Sequence, residues 1–216
     1  MWEKSMDELL LLLMALFGIS VLFHIIALER KKLADQFGET KGRKIGNVIG
    51  IVSGWLLFAS WAGIWFVPQP AFSLPILPSF WISIPMIEIQ IPIIHFIVGL
   101  FFLVFGAYFG LSAVSELSLS VSQTQLPNEL VTNGIYAKCR HPQYLGGVLA
   151  HIGVSLLISG LYSFLLTPVV FVAVYAMSLA EEKQLTRMFG ERYKDYKGEV
   201  PMLLPQIGIE SLVSEG

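Results

Sequence analysis

Charge is scarce in this 216-residue chain, where Asp, Glu, Lys and Arg make up only 14% of residues, against about 25% in a soluble domain. Cysteine is scarcer still. The single Cys139 excludes an intramolecular disulfide and every zinc or iron–sulfur site built from several cysteines. A net charge of −2, with no basic strip interleaved with aromatics, gives no sign of a nucleic-acid partner. No G-x-G-x-x-G follows a strand-like run, so the soluble dinucleotide-binding unit is absent. Only four histidines are present.

Apolar residues fill the space that these absences leave, at 55% of the chain. Several uninterrupted apolar runs approach or exceed the ~18 residues that read as a membrane-crossing helix. The opening "MWEKSMDE" lacks the basic start of a signal peptide, and the run after it is too long for one, so it reads as a retained first span. The spans fall at about 9–28, 45–67, 93–119, 144–158 and 164–180. Between the first two lies the charged loop "ERKKLADQFGETKGRK". Residues 68–92 are apolar but carry Pro68, Pro70, Pro75, Pro78, Pro85 and Pro92. Proline removes a backbone donor and restricts its neighbour, so this segment is expected to lie at the interface or fold back on the protein. Trp65 is a candidate interface anchor.

These runs predict an all-α integral membrane protein of one domain, 1–216, with five crossings and a C-terminal helical segment. Three spans occupy 1–121, and a polar loop, a helical hairpin and the tail occupy 122–216. With five crossings, 13 of the 14 Lys and Arg residues fall on one side and only Lys4 on the other. The excess of positive charge on the cytoplasmic side then puts the N-terminus outside and the C-terminus in the cytoplasm.

That topology sets "CRHPQY" (139–144) and "EEKQLTRMFGERYKDY" (181–196) at one face. In the tail, Leu185, Met188 and Phe189 make an apolar stripe that Tyr193 and Tyr196 continue past Gly190, as in a helix lying on the lipid surface. Arg187 and Glu191 are spaced for an i,i+4 pair. Pro142 suits the first turn of a helix, whose free amides and dipole attract anions. Arg140 and His141 approach Glu181 and Glu182. One reading is a pocket for a zwitterion, carboxylate at the helix start and ammonium or sulfonium at Glu181; the other is an interfacial salt bridge between Arg140 and a tail glutamate. The remaining histidines, His24, His95 and His151, read as imidazoles satisfied by neighbouring helices. Gly146, Gly147 and Gly153 read as helix-packing positions.

The paired stretches "LVTNGIYAKCRHPQYLGG" and "EEKQLTRMFGERYKDYKGEVPMLLP" resemble the isoprenylcysteine carboxyl methyltransferase family, and more loosely the membrane phospholipid N-methyltransferases, over residues 126–205. The resemblance implies an S-adenosylmethionine-dependent membrane methyltransferase, acting on a lipophilic or prenylated acceptor among membrane lipids, in the plasma membrane of a prokaryote or the endoplasmic reticulum of a eukaryote. It implies a cofactor pocket of Gln123 (Gln125 as spare), Asn128, Glu129, Leu130, Val131, Tyr136, His141, Pro142, Gln143, Tyr144 and Glu181. Arg140 and Glu182 are the candidates for a catalytic role. The family commonly has histidine where Asn128 stands. The prenylcysteine enzymes carry arginine one turn before the first tail glutamate, where this chain has Met177; either Arg140 takes over the acceptor carboxylate or the acceptor differs. A phospholipid amine is the second acceptor class. An NADPH-dependent sterol-type reductase would show N-Y-x-G-E where this chain has Q-Y-L-G-G, and a non-catalytic scaffold would leave the paired motif unused.

Overall fold

The computed structural model describes residues 2–74, 80–84, 89–117 and 129–205. Its long helices are α1 (Trp2–Leu28), α3 (Glu39–Phe66), α4 (Ile93–Leu117), α5 (Pro142–Leu157) and α7 (Thr167–Phe189). Shorter pieces are α2 (Arg30–Phe37), α6 (Leu161–Leu165), α8 (Glu191–Glu199) and a 3-10 turn at Gly134–Ala137. Among the described residues, three helices are long and apolar enough to cross a membrane: 7–28, 39–66 and 93–117. The 16 residues of α5 reach only about 24 Å, short of the roughly 30 Å hydrocarbon core, and the last third of α7 is charged. Helix length and apolarity therefore support three of the five expected crossings.

Two other expectations change. The charged stretch after α1 is not a loop: α2 occupies it, with Leu33 buried. Gly38, at φ +82°, turns the chain straight into α3. Gly42 then lies against the α2 backbone at Leu33, where a Cβ would collide. Nor is the chain wholly helical. Strands β1 (Trp81–Ile84) and β2 (Ile89–Pro92) pair antiparallel, and residues 70–74 of the proline-rich segment fold back against the protein. The Phe72 amide donates to the Ser159 carbonyl at 3.0 Å and the Leu161 amide to the Pro70 carbonyl at 2.9 Å, so the chain before β1 hydrogen-bonds to the α5–α6 corner. His95 locks this arrangement: Nε2 accepts from the Leu74 amide at 3.1 Å, leaving Nδ1–H to donate to Ser159 Oγ at 2.9 Å.

The central contact is α4 against α5, and glycine makes it possible. A Cβ on Gly146 would stand 2.5 Å from the Gly110 amide nitrogen and 2.7 Å from the Gly106 carbonyl oxygen. One on Gly153 would stand 2.7 Å from the Leu103 nitrogen. Two backbones in contact along small residues gain dispersion where lipid offers no hydrophobic drive. On the other side of α5, Phe17, Val21, Val148, Val170, Val174, Met177 and Leu203 form the main buried cluster. It ties α1 to α5, α7 and the tail.

Candidate functional site

The polar end of the bundle is built by one tight turn and one helix start. Residues 134–137 coil into the 3-10 turn, burying Ile135 and Tyr136 against Ala113 of α4. Five residues later Pro142 opens α5, where its missing N–H costs nothing. The two amides just before it are tied to the tail: Arg140 N–H donates to the Pro201 carbonyl at 2.9 Å and His141 N–H to the Met202 carbonyl at 3.0 Å. Tyr196 Oη donates to the Tyr136 carbonyl at 2.6 Å. The loop before α5 and the tail after α7 thus form one unit.

Glu181 and Glu182 enter this unit from α7, which runs unbroken through them to Phe189 and stops at Gly190, φ +59°. The expected fifth span and the expected tail helix are therefore a single helix. Arg140 Nε donates to Glu182 Oε1 at 2.7 Å, and its Nη1 reaches the Lys197 carbonyl at 3.0 Å and the Val200 carbonyl. Lys197 Nζ lies 2.6 Å from Glu182 Oε2. His141 bridges the two acids, Nδ1 being 3.5 Å from Glu181 and Nε2 3.5 Å from Glu182. Burial works against the charge on Glu182, but hydrogen bonds from His141, Lys197 and Arg140 prevail and hold its pKa at about 2. For His141 burial disfavours the imidazolium, yet the two glutamates raise its pKa above the usual value. Glu182 keeps 2% of its side chain exposed and Glu181 18%. Glu182 is spent inside the protein; Glu181 still faces outward.

The structure gathers Tyr136, Arg140, His141, Pro142, Tyr144, Glu181 and Glu182 at this point. The His141 and Tyr144 rings stack with centroids 5.7 Å apart, and Gln143 is half-buried beside them. Leu130 packs instead on Leu185, Tyr193 and Tyr196, and Val131 on the Ile135 cluster. Glu129 is exposed. Gln123, Gln125 and Asn128 lie outside the described residues. Met177, 2% exposed, belongs to the apolar cluster beneath the site.

Three sequence expectations are corrected here. The tail stripe is not open along its whole length: Leu185, Tyr193 and Tyr196 pack against Leu130 and Val200, while Met188 stays exposed. Arg187 does not pair with Glu191; it donates to Glu29 at 3.1 Å, beside Lys183 at 2.6 Å, while Glu191 takes Lys194 at 2.7 Å. Trp65 is no interface anchor. Its indole N–H, at 3.0 Å, joins that of Trp61, at 2.8 Å, in donating to His151 Nδ1, and the remaining ring N–H faces the Ser163 carbonyl at 3.0 Å. His24 faces Ser53 at 3.3 Å, so each of the three helix-borne histidines has a neighbour. Beside His151 an apolar cleft of about 300 Å³ opens between α1 and α7, lined by Phe17, Val21, Ile64, Val170, Ala173 and Ala176 among others.

Two participants were not singled out from sequence. Lys197 looked like any surface lysine of the tail. Glu116, near the end of α4, receives the Ile135 amide on both oxygens, at 3.0 and 3.2 Å. Its signal was available: it is the single acidic residue of an otherwise apolar 25-residue helix.

Residues 94–192 match the phospholipid methyltransferase family. The matched stretch holds α4, the turn, α5, α7 and both glutamates. The chain is 32% identical over 108 residues to the protein-S-isoprenylcysteine O-methyltransferase of Schizosaccharomyces pombe, covering 47% of this chain and 46% of that one. It is 40% identical over 87 residues to the enzyme of the same name from Mus musculus, covering 36% and 28%. With the methanethiol S-methyltransferase of Pseudomonas deceptionensis it shares 34% identity over 73 residues, covering 34% and 27%. The chain thus spans under half the length of these curated relatives. No solved structure matches it. The family resemblance read from the paired motif holds.

Proposed function

We propose that the protein is an integral membrane methyltransferase that takes a methyl group from S-adenosylmethionine and passes it to a lipophilic acceptor, of the prenylcysteine carboxylate class. The observation that carries this reading is the junction of the two motif halves, with His141 between Glu181 and Glu182 at the start of α5.

The residues present fit the methyl donor. Glu181, half-buried, keeps part of its carboxylate open to meet its cationic end. The first-turn amides of α5, which a helix leaves without carbonyl partners, suit its carboxylate. Bound there, S-adenosylmethionine would supply an electrophilic methyl group on its sulfonium sulfur. The protein's own work is positioning: Arg140 and Lys197 lock Glu182, Glu182 and Glu181 hold the His141 ring, and the ring stacks on Tyr144. Glu182, with a pKa of about 2, is a poor proton acceptor. Arg140, held by Glu182 and by the Lys197 and Val200 carbonyls, is not free to take an acceptor carboxylate in place of the family's arginine at Met177, so in a prenylcysteine reading that carboxylate is met by another group. The cleft between α1 and α7 supports the lipophilic character of the acceptor, since it ends at Ala176, five residues or about 7.5 Å of helix rise before Glu181. A phospholipid amine is the second reading, favoured by the family that residues 94–192 match.

In the same reading α5 and α7 act as short fourth and fifth crossings, and the site faces the cytoplasm. Calorimetric titration of the detergent-purified protein with S-adenosylhomocysteine and with NADPH tests the cofactor. Binding of the first alone is expected; binding of NADPH alone would replace this reading with a reductase. Glu181→Ala and His141→Ala should each weaken S-adenosylhomocysteine binding while leaving membrane insertion intact. Methyl transfer assays with a farnesylcysteine analogue, phosphatidylethanolamine vesicles and methanethiol then separate the acceptors.

A further inference from the structure

A carboxylate at the end of a helix lies against the negative pole of the helix dipole. Glu116 accepts that disadvantage as the penultimate residue of α4. Its compensation comes from 19 residues away, where the Ile135 amide donates to both of its oxygens. Gly134 is shaped around the same group. Its φ of +56° favours glycine, and a Cβ there would run into Glu116 Oε1. Ile135, 3% exposed, and Tyr136, 7% exposed, close the contact by packing on Ala113. From the opposite side Tyr196 holds the Tyr136 carbonyl. The turn is therefore clamped between α4 and α8, and Arg140 and His141 follow within a few residues.

We propose that Glu116 is a positioning residue: its carboxylate holds the 134–137 turn in the conformation that delivers Tyr136, Arg140 and His141 to the site. The effect on methyl transfer rests on the methyltransferase reading; the grip on the turn does not.

Cys139 reports the grip independently. It is the chain's single cysteine, its amide reaches the Ile135 carbonyl at 3.4 Å, and it is wholly buried. Burial also pushes its thiol up to about 11, so a thiol reagent should react slowly while the turn is closed. The experiment uses the full chain in detergent. It measures the maleimide labelling rate at Cys139, the dissociation constant of S-adenosylhomocysteine and the thermal midpoint for wild type, Glu116→Gln and Glu116→Ala. A hydrogen bond to a charged acceptor is worth about a factor of ten to a hundred. Glu116→Ala is expected to raise both the labelling rate and the dissociation constant about tenfold or more. Glu116→Gln, which keeps one oxygen to accept the Ile135 amide, should stay within about threefold of wild type. If Glu116→Ala cannot be recovered folded, Gly134→Ala disturbs the same contact from the other side and is read in the same way. Wild-type labelling in the alanine variants overturns the proposal and leaves the methyltransferase reading standing. Fast labelling with an unchanged dissociation constant also overturns it, because the turn would then not serve the site. If wild type binds no S-adenosylhomocysteine, the methyltransferase reading fails, and the labelling rates alone decide whether Glu116 holds the turn.

Discussion

Replacing Arg140 by methionine removes the guanidinium and keeps most of the stem. The side chain is 7% exposed and its partner Glu182 2%, so the variant strands a carboxylate that solvent reaches poorly. Breaking one side of a buried pair costs about 3–5 kcal/mol. Here Lys197 and His141 still face Glu182, which argues for the lower end. The Lys197 and Val200 carbonyls lose a donor as well. A loss of about 3 kcal/mol corresponds to a midpoint lowered by roughly 6–12 °C for a chain of this size. The double variant Arg140→Met, Glu182→Leu should recover much of that, because exchanging both members of a buried pair for apolar groups is often close to neutral. The assay is a double-mutant cycle by thermal unfolding in one detergent, with a coupling of about 2 kcal/mol expected, well above the ~0.5 kcal/mol seen between independent sites. Purely additive losses would mean that the pair does not join loop to tail, and the account of the site would fail with it.

Gly146→Val should cost at least the roughly 1–3 kcal/mol of an overpacked core, because its side chain meets the α4 backbone at Gly106 and Gly110, and a midpoint equal to wild type would refute the close approach. For pH, the raised pKa of His141 means that its stabilising contribution is complete below its ordinary value of about 6.5 and is lost as pH rises through the folded value. The difference in midpoint between wild type and His141→Gln should therefore shrink from pH 6 to pH 9. Glu182, held down at about 2, works the other way: its contribution is present above the ordinary carboxylate range and is lost as pH falls toward 2.

How much of this was legible follows from which forces act locally. Apolar runs mark α1, α3 and α4 because lipid demands them, and Pro142 and Gly190 mark helix ends because of their own backbone chemistry. The charge of the Arg30-Lys31-Lys32 stretch suggests a loop and hides a helix whose one buried anchor is Leu33. Nothing between Ala180 and Gly190 breaks a helix, so α7 passes through the change from apolar to charged that had suggested a boundary. The pairing of 81–84 with 89–92 depends on register across a proline-rich segment, which composition does not show. Arg140 with Glu182 was visible as one of two alternatives. The bond of Glu116 to Ile135 was not, since a backbone amide leaves no mark in the composition of a sequence.

The seam between residues 140–141 and residues 201–202 also constrains how the protein is made. Each apolar helix can enter the bilayer as it leaves the ribosome, yet Arg140 and His141 must wait some sixty residues for the carbonyls that receive their amides. During synthesis the polar mouth stays open after α7 has been delivered. It shuts only when the stretch that includes Tyr196, Lys197 and Val200 has emerged and swung back beneath α5.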